Sequence, residues 1–170
     1  MRYTHIYTGN GKGKSTAAFG LSLRAALSGW NVYIGQFVKD MKYNETKISS
    51  YINNIEIEQL GIGCFIDREP EQKDIAVAKK GLKHCFEKMT SGKYDMIILD
   101  ELTIALYFNL LTEKEIINFM NSKPDEVELI ITGRYASEEM INNADLVTEM
   151  KEVKHYYNDK GIISREGIEF

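Results

Sequence analysis

The sequence of 170 residues predicts a single α/β domain, a mostly parallel sheet with helices on both faces, and three observations predict it. Strand-like runs alternate with helix-like runs along the whole chain. Two of the strand-like runs, within Met96 to Leu99 and Leu129 to Thr132, contain the unbroken apolar triplets IIL and LII, which suit central strands buried on both faces. The third observation is TGNGKGKST, Thr8 to Thr16, which follows a β-branched and aromatic run (Tyr3, Thr4, Ile6, Tyr7) and opens an Ala-rich helical pattern.

The elements follow in order. Strands are expected at Thr4 to Tyr7, Val32 to Phe37, Ile55 to Gln59, Met96 to Leu99, Leu129 to Thr132 and Leu146 to Glu149. A first helix should run from Ser15 to about Leu27, with Phe19, Leu23 and Leu27 on one stripe and Gly29 just past its end. Trp30 then reads as a packing residue. A long helix is expected from about Gln72 to Met89, where Ile75, Ala78, Leu82 and Phe86 recur at helical spacing, and His84 and Cys85 on it read as structural. Thr112-Glu113-Lys114-Glu115 is a capping box opening a shorter helix. No repeat, linker or low-complexity segment interrupts the pattern, so residues 1–170 read as one nucleotide-binding domain.

Composition narrows the function classes. A formal net charge of −4 supplies no overall drive toward nucleic acid or anionic membrane, and leaves a local basic pocket as the place for an anion. The two cysteines, Cys64 and Cys85, have no C-x-x-C spacing and read as reduced thiols. The longest apolar region, Met96 to Leu111, is broken by Asp100 and Glu101, and the first strand begins within a few residues of Met1. A cytoplasmic protein without a membrane or nucleic-acid partner is the expectation.

The basic pocket is the Thr8 to Thr16 stretch. Gly9, Gly11 and Gly13 permit the positive-φ turns that aim successive backbone N–H groups inward, and the helix that follows adds its positive N-terminal dipole. The cradle therefore comprises Gly9, Asn10, Gly11, Lys12, Gly13, Lys14, Ser15 and Thr16, with Lys14 reaching the outer phosphates and the Ser15 hydroxyl available to Mg²⁺. Thr8 stands where the strict G-x-x-x-x-G-K-[ST] pattern has glycine.

Ligands of parallel sheets bind beyond the carboxyl ends of the strands, so the loops after Tyr7, Phe37, Gln59, Leu99 and Thr132 should share one rim. On that rim Asp100 and Glu101 follow the fourth strand, and either carboxylate can serve a metal opposite Ser15 while its neighbour orients it. Arg134, after the fifth strand, can neutralise phosphate charge by bidentate contacts. Gln36, Phe37 and Lys39, with the polar loop through Glu45, read as a wall for a second substrate, and His155 as a surface imidazole.

Six ordered segments carry a resemblance: GNGKGKSTAAFG (Gly9 to Gly20), QFVK (Gln36 to Lys39), LDELT (Leu99 to Thr103), ITGR (Ile131 to Arg134), ADLVTEM (Ala144 to Met150) and VKH (Val153 to His155). Together they resemble the ATP:corrinoid adenosyltransferases of the P-loop type, which act on cob(I)alamin or cob(I)yrinic acid a,c-diamide. The resemblance implies a RecA-like P-loop architecture, a homodimer, and MgATP bound with its chain reversed relative to ordinary P-loop enzymes. The ribose 5′-carbon is then offered to a Co(I) corrinoid, which attacks it and expels inorganic triphosphate. Ser15 and Glu101 would be the metal ligands with Asp100 in support, and Lys12, Lys14 and Arg134 would clamp the leaving group. An electron-donating reductase or flavoprotein is the further partner implied.

Two departures from the family pattern stand out. Its best-known members carry an N-terminal extension that helps close the site, whereas this sequence reaches its first strand at once, so weaker closure or closure from elsewhere is expected. Where those members have Gly-Phe-Thr-Trp, whose aromatics help displace the lower axial ligand, this chain has Gly63-Cys64-Phe65-Ile66, with Phe65 the candidate corrinoid contact. Two other readings stay open: a RecA-like ATPase with Glu101 activating water, and an ATP-gated corrinoid-binding or regulatory protein without turnover. A nucleoside kinase is disfavoured, because only five arginines occur and none cluster.

Overall fold

Six strands form one sheet in which every pairing is parallel, in the order β3-β2-β4-β5-β1-β6. They are β1 (Thr4–Thr8), β2 (Val32–Gln36), β3 (Ile55–Gln59), β4 (Met96–Asp100), β5 (Glu128–Thr132) and β6 (Leu146–Glu149). The computed structural model describes residues 1–38, 44–61 and 68–169. All six expected strands are present, with ends within one residue of the expectation.

The helices are α1 (Lys14–Leu27), α2 (Ile48–Tyr51), α3 (Gln72–Thr90), α4 (Leu102–Tyr107), α5 (Glu113–Asn121), α6 (Glu138–Asn142) and α7 (Tyr156–Lys160), with a 3₁₀ turn at Asn44–Lys47. They cover both faces of the sheet, as the alternation along β4 requires. Met96 and Ile98 join Ala18, Phe19, Ala25 and Ala26 of α1 in one core cluster. Ile97 and Leu99 join Leu82, Cys85 and Met89 of α3, with Ile116 and Phe119 of α5, in the other. Among the described residues no helix is long and apolar enough to cross a membrane.

Helix α1 departs from the expected stripe. Phe19 is buried, but Leu23 and Leu27 are exposed, and the inward face is Ala18, Ser22, Ala25 and Ala26. Small side chains bring this helix close to the sheet, so the face is set by what fits between the layers rather than by where the leucines lie. In α3 the same correction applies to Phe86, which is exposed while Gly81, Cys85 and Met89 are buried. The capping box at Thr112 is present: the Glu115 N–H donates to Thr112 Oγ1 at 3.3 Å and the Thr112 N–H donates to Glu115 Oε2 at 2.8 Å.

The residues read as bystanders are structural. Trp30 is half-buried, with the Arg2 guanidinium 3.9 Å above its ring. Cys85 is fully buried, and burial pushes its thiol up to about 12. His84 does have a partner, Glu58 at 2.7 Å. Gln36 and Phe37, expected as walls for a second substrate, are interior instead, each at most 1% exposed, and Lys39 lies outside the described residues. Cys64 and Phe65 also lie outside them.

Candidate active site

The order of the strands puts β5 between β1 and β4, so the rim runs from the phosphate loop through Thr132 to Asp100. Thr132 is the hinge of this arrangement. Its hydroxyl donates to Asp100 Oδ1 at 2.7 Å and accepts from the Glu101 N–H at 3.1 Å. From the other side Gln36, in register with Asp100 on β2, donates its amide to Asp100 Oδ2 at 3.2 Å. Asp100 and Thr132 are fully buried, so both carboxylate oxygens are spent on holding the rim together.

Glu101 goes the other way. Its backbone is left-handed, with φ 61°, which turns the chain sharply off β4 and sends the side chain into a cavity of about 560 Å³. Such a conformation in a non-glycine residue costs on the order of 1–3 kcal/mol and persists where the surroundings over-determine it. Gly133 makes room: a Cβ there would lie 2.2 Å from Thr103 Oγ1 and 3.3 Å from Glu101 Oε2. Two adjacent acids thus have separate surroundings, one in the core and one in the cavity.

The phosphate loop forms another wall. Gly9 has φ 97° and Gly13 φ 119°, and the Gly11 N–H donates to the Met150 carbonyl at 2.6 Å. A Cβ at Gly9 or Gly11 would lie 2.5 or 2.6 Å from that carbonyl oxygen, so the loop rests directly on the chain leaving β6. Lys14, only 7% exposed, donates to the Gly11 carbonyl at 2.7 Å. Burial lowers the affinity of this ammonium for its proton; Arg134 adds to that, and the Glu101 and Asp100 carboxylates oppose it.

Of the residues singled out in the sequence, Lys12, Gly13, Lys14, Ser15, Thr16, Glu101 and Arg134 line this one cavity. Asn10 faces a neighbouring cavity that shares Arg134 with it. Asp100 lies beneath the rim, and Phe65 is outside the described residues. Asn44 and Glu45, from the polar loop read as a wall, also line the cavity, whereas sequence reasoning missed Phe19 and the segment Gly167 to Glu169, which line it too. The lining is mixed in sign: Glu45, Glu101 and Glu169 share it with Lys12, Lys14 and Arg134.

Among the described residues no three His, Cys, Asp or Glu side chains cluster as a metal site. The Ser15 hydroxyl and Glu101 carboxylate are hard oxygen donors facing one space, the sparse set with which Mg²⁺ is held when phosphates and waters complete its shell.

A glycine-rich loop, a carboxylate off the fourth strand and an arginine off the fifth share one cavity, and that geometry alone names no reaction. The family model for the ATP:corrinoid adenosyltransferases BtuR/CobO/CobP matches residues 1–170. The chain belongs to the ATP:corrinoid adenosyltransferase family. It is 32% identical over 165 residues to the corrinoid adenosyltransferase of Escherichia coli (strain K12), covering 97% of this chain and 84% of that one. The Salmonella typhimurium (strain LT2) corrinoid adenosyltransferase is 33% identical over 165 residues, with the same coverage. That of a Sinorhizobium species is 34% identical over 169 residues, covering 97% and 78%. In this family setting the cavity is the candidate nucleotide site of an adenosyltransferase.

Proposed function

We propose that the cavity takes MgATP by its triphosphate and that the enzyme transfers the 5′-deoxyadenosyl group to the Co(I) centre of a corrinoid. The new bond is cobalt to the ribose 5′-carbon, the broken bond is that carbon to the α-phosphate oxygen, and the electron pair leaves with inorganic triphosphate. Because Co(I) supplies the nucleophile, the reaction asks the protein for alignment and for stabilisation of charge on the leaving group, not for a general base. The observation that carries this reading is the convergence of Lys12, Lys14 and Arg134 on the cavity that Ser15 and Glu101 also face.

Lys14, drawn from solvent, acts where its charge is poorly screened. Lys12 and Arg134 take the more exposed end of the triphosphate, and the loop amides of Gly9 to Gly13 complete the cradle. Ser15 and Glu101 would hold the Mg²⁺, which would neutralise phosphate charge, and Asp100 supports the rim from which Glu101 projects. We assign the working form as a homodimer and the electron source as a separate reductase or flavoprotein, both on the strength of the family resemblance. The cytoplasm, which keeps buried thiols such as Cys85 reduced, is the compartment that fits.

The competing ATPase would use Glu101 on a water molecule. Ion chromatography of the products, with and without chemically reduced corrinoid, separates the two. The adenosyltransferase releases intact triphosphate only when Co(I) is present, and a light-sensitive alkylcobalamin spectrum accompanies it. Formation of ADP and phosphate independent of corrinoid, with no triphosphate in either sample, would replace this reading by the ATPase.

A further inference from the structure

The chain leaving β6 returns to the phosphate loop. After α7 it reverses at Gly161, which has φ 63°, and the stretch Gly167 to Glu169 becomes part of the cavity wall. There Lys12 Nζ donates to the Ile168 carbonyl at 2.7 Å and lies 3.5 Å from the Glu169 carboxylate. Glu169 is itself held: it accepts from the Tyr156 hydroxyl and from the Arg165 N–H at 2.8 Å, with Arg165 Nε 3.6 Å away. The Arg165 guanidinium in turn sits 4.8 Å from the centre of the Tyr156 ring.

An ammonium has three donors on one compact head, and the C-terminal segment engages Lys12 through both a carbonyl and a carboxylate. A triphosphate approaching the cradle needs that same head, and it meets a fixed negative charge beside it. We infer that Glu169 is an internal competitor for the phosphate site, holding Lys12 when the triphosphate is away and yielding it when the triphosphate binds. This rests on the reading of the cavity as the triphosphate site. The Tyr156 hydroxyl bond, aided by Arg165 and Lys12 and opposed by burial, holds the Glu169 carboxyl down to about 2, so its charge is present at every working pH.

Glu169 lines the cavity and acts on the phosphate chiefly by competing for Lys12, and in that sense it is a positioning residue. Exchange of one anion for another lets the cradle bind the leaving group in transit without retaining it, because the carboxylate returns to Lys12 as triphosphate departs. A purely structural role for Glu169 predicts the opposite sign: loosening the wall would weaken anion binding.

Calorimetric titration of the full chain with magnesium triphosphate and with MgATP tests the sign. Glu169→Gln should bind both about two- to fivefold more tightly, the range expected of a partly exposed ion pair. Glu169→Asp, which restores the charge, should return toward wild type. Most of the gain should disappear in the Lys12→Ala background, and it should shrink as salt is raised. Unchanged or weaker binding by Glu169→Gln, or a gain undiminished without Lys12, overturns the inference. Undiminished binding by Lys14→Ala would instead overturn the triphosphate reading itself.

Discussion

The two sides of the cavity are built differently. On one side Asp100, Thr132, Gln36 and Lys14 are buried, with Asp100 hydrogen-bonded to Thr132 and Gln36 at the ends of β4, β5 and β2 and Lys14 bonded to the Gly11 carbonyl of the loop after β1. On the other, β6 is exposed at all four positions, α7 buries no residue, and the returning segment is tied by Tyr156, Arg165, Glu169 and Lys12. The first side inherits its geometry from the core, where moving any atom costs packing. The second is held by partly exposed charges and can exchange partners at little cost. An enzyme that must align one substrate and then release a polyanion has use for both.

Breaking the embedded side should have the largest effect. Lys14→Ala is expected to lower turnover by roughly 10²–10³-fold, the scale on which removal of one preorganised charge-stabilising donor acts. Near-normal turnover measured with MgATP and reduced cobalamin would show that the buried ammonium is not part of the cradle.

The two acids sharpen the contrast within that side. Glu101→Gln should reduce turnover and raise the Mg²⁺ requirement while leaving the thermal midpoint near wild type. Asp100→Asn disturbs a buried hydrogen-bonded pair and should lower stability by about 1–3 kcal/mol, with the smaller loss of activity in the folded fraction. Denaturant titration beside Mg²⁺-dependent kinetics checks both, and a larger kinetic defect in Asp100→Asn reverses the assignment.

Gly9→Ala probes the seam where the two sides meet. The substitution places a Cβ 2.5 Å from the Met150 carbonyl at a φ of 97°, so a loss of about 1–3 kcal/mol in stability, with weaker ATP binding, is expected. A variant as stable as wild type would mean that the phosphate loop moves independently of the chain after β6.

The smallest effect lies away from the cavity, on the edge strand β3. Burial raises the Glu56 carboxyl, but hydrogen bonds from Lys88, Tyr94 and Lys93 outweigh it and bring it down to about 2. A depressed carboxylate contributes stability above its unfolded value near 4.5 and loses it as pH falls from there toward about 2. Glu56→Gln should therefore flatten the acid limb of a pH–stability curve and leave activity near neutrality unchanged.

Much of this was legible in the chain because it is local. A period of two or 3.6 residues announces a strand or a helix within a few turns, and GNGKGKST declares its purpose within eight residues. The fold class, the strand list, the glycine-rich loop between β1 and α1 and the family follow from such signals. Leucine spacing misled for α1, since a helix of small residues packs by the closeness it permits rather than by the apolar bulk it carries.

Taken alone, then, the sequence determined the parallel α/β fold, the glycine-rich loop that opens α1 and the family, each encoded by neighbours along the chain. Tertiary structure alone decided which of Asp100 and Glu101 faces the cavity, because that depends on Gln36, Thr132 and Gly133 arriving from other strands. It likewise decided that Glu169 reaches Lys12, a contact to which no motif points. Local periodicity reports what each segment is, whereas the order in which six parallel strands lie side by side sets which distant side chains meet.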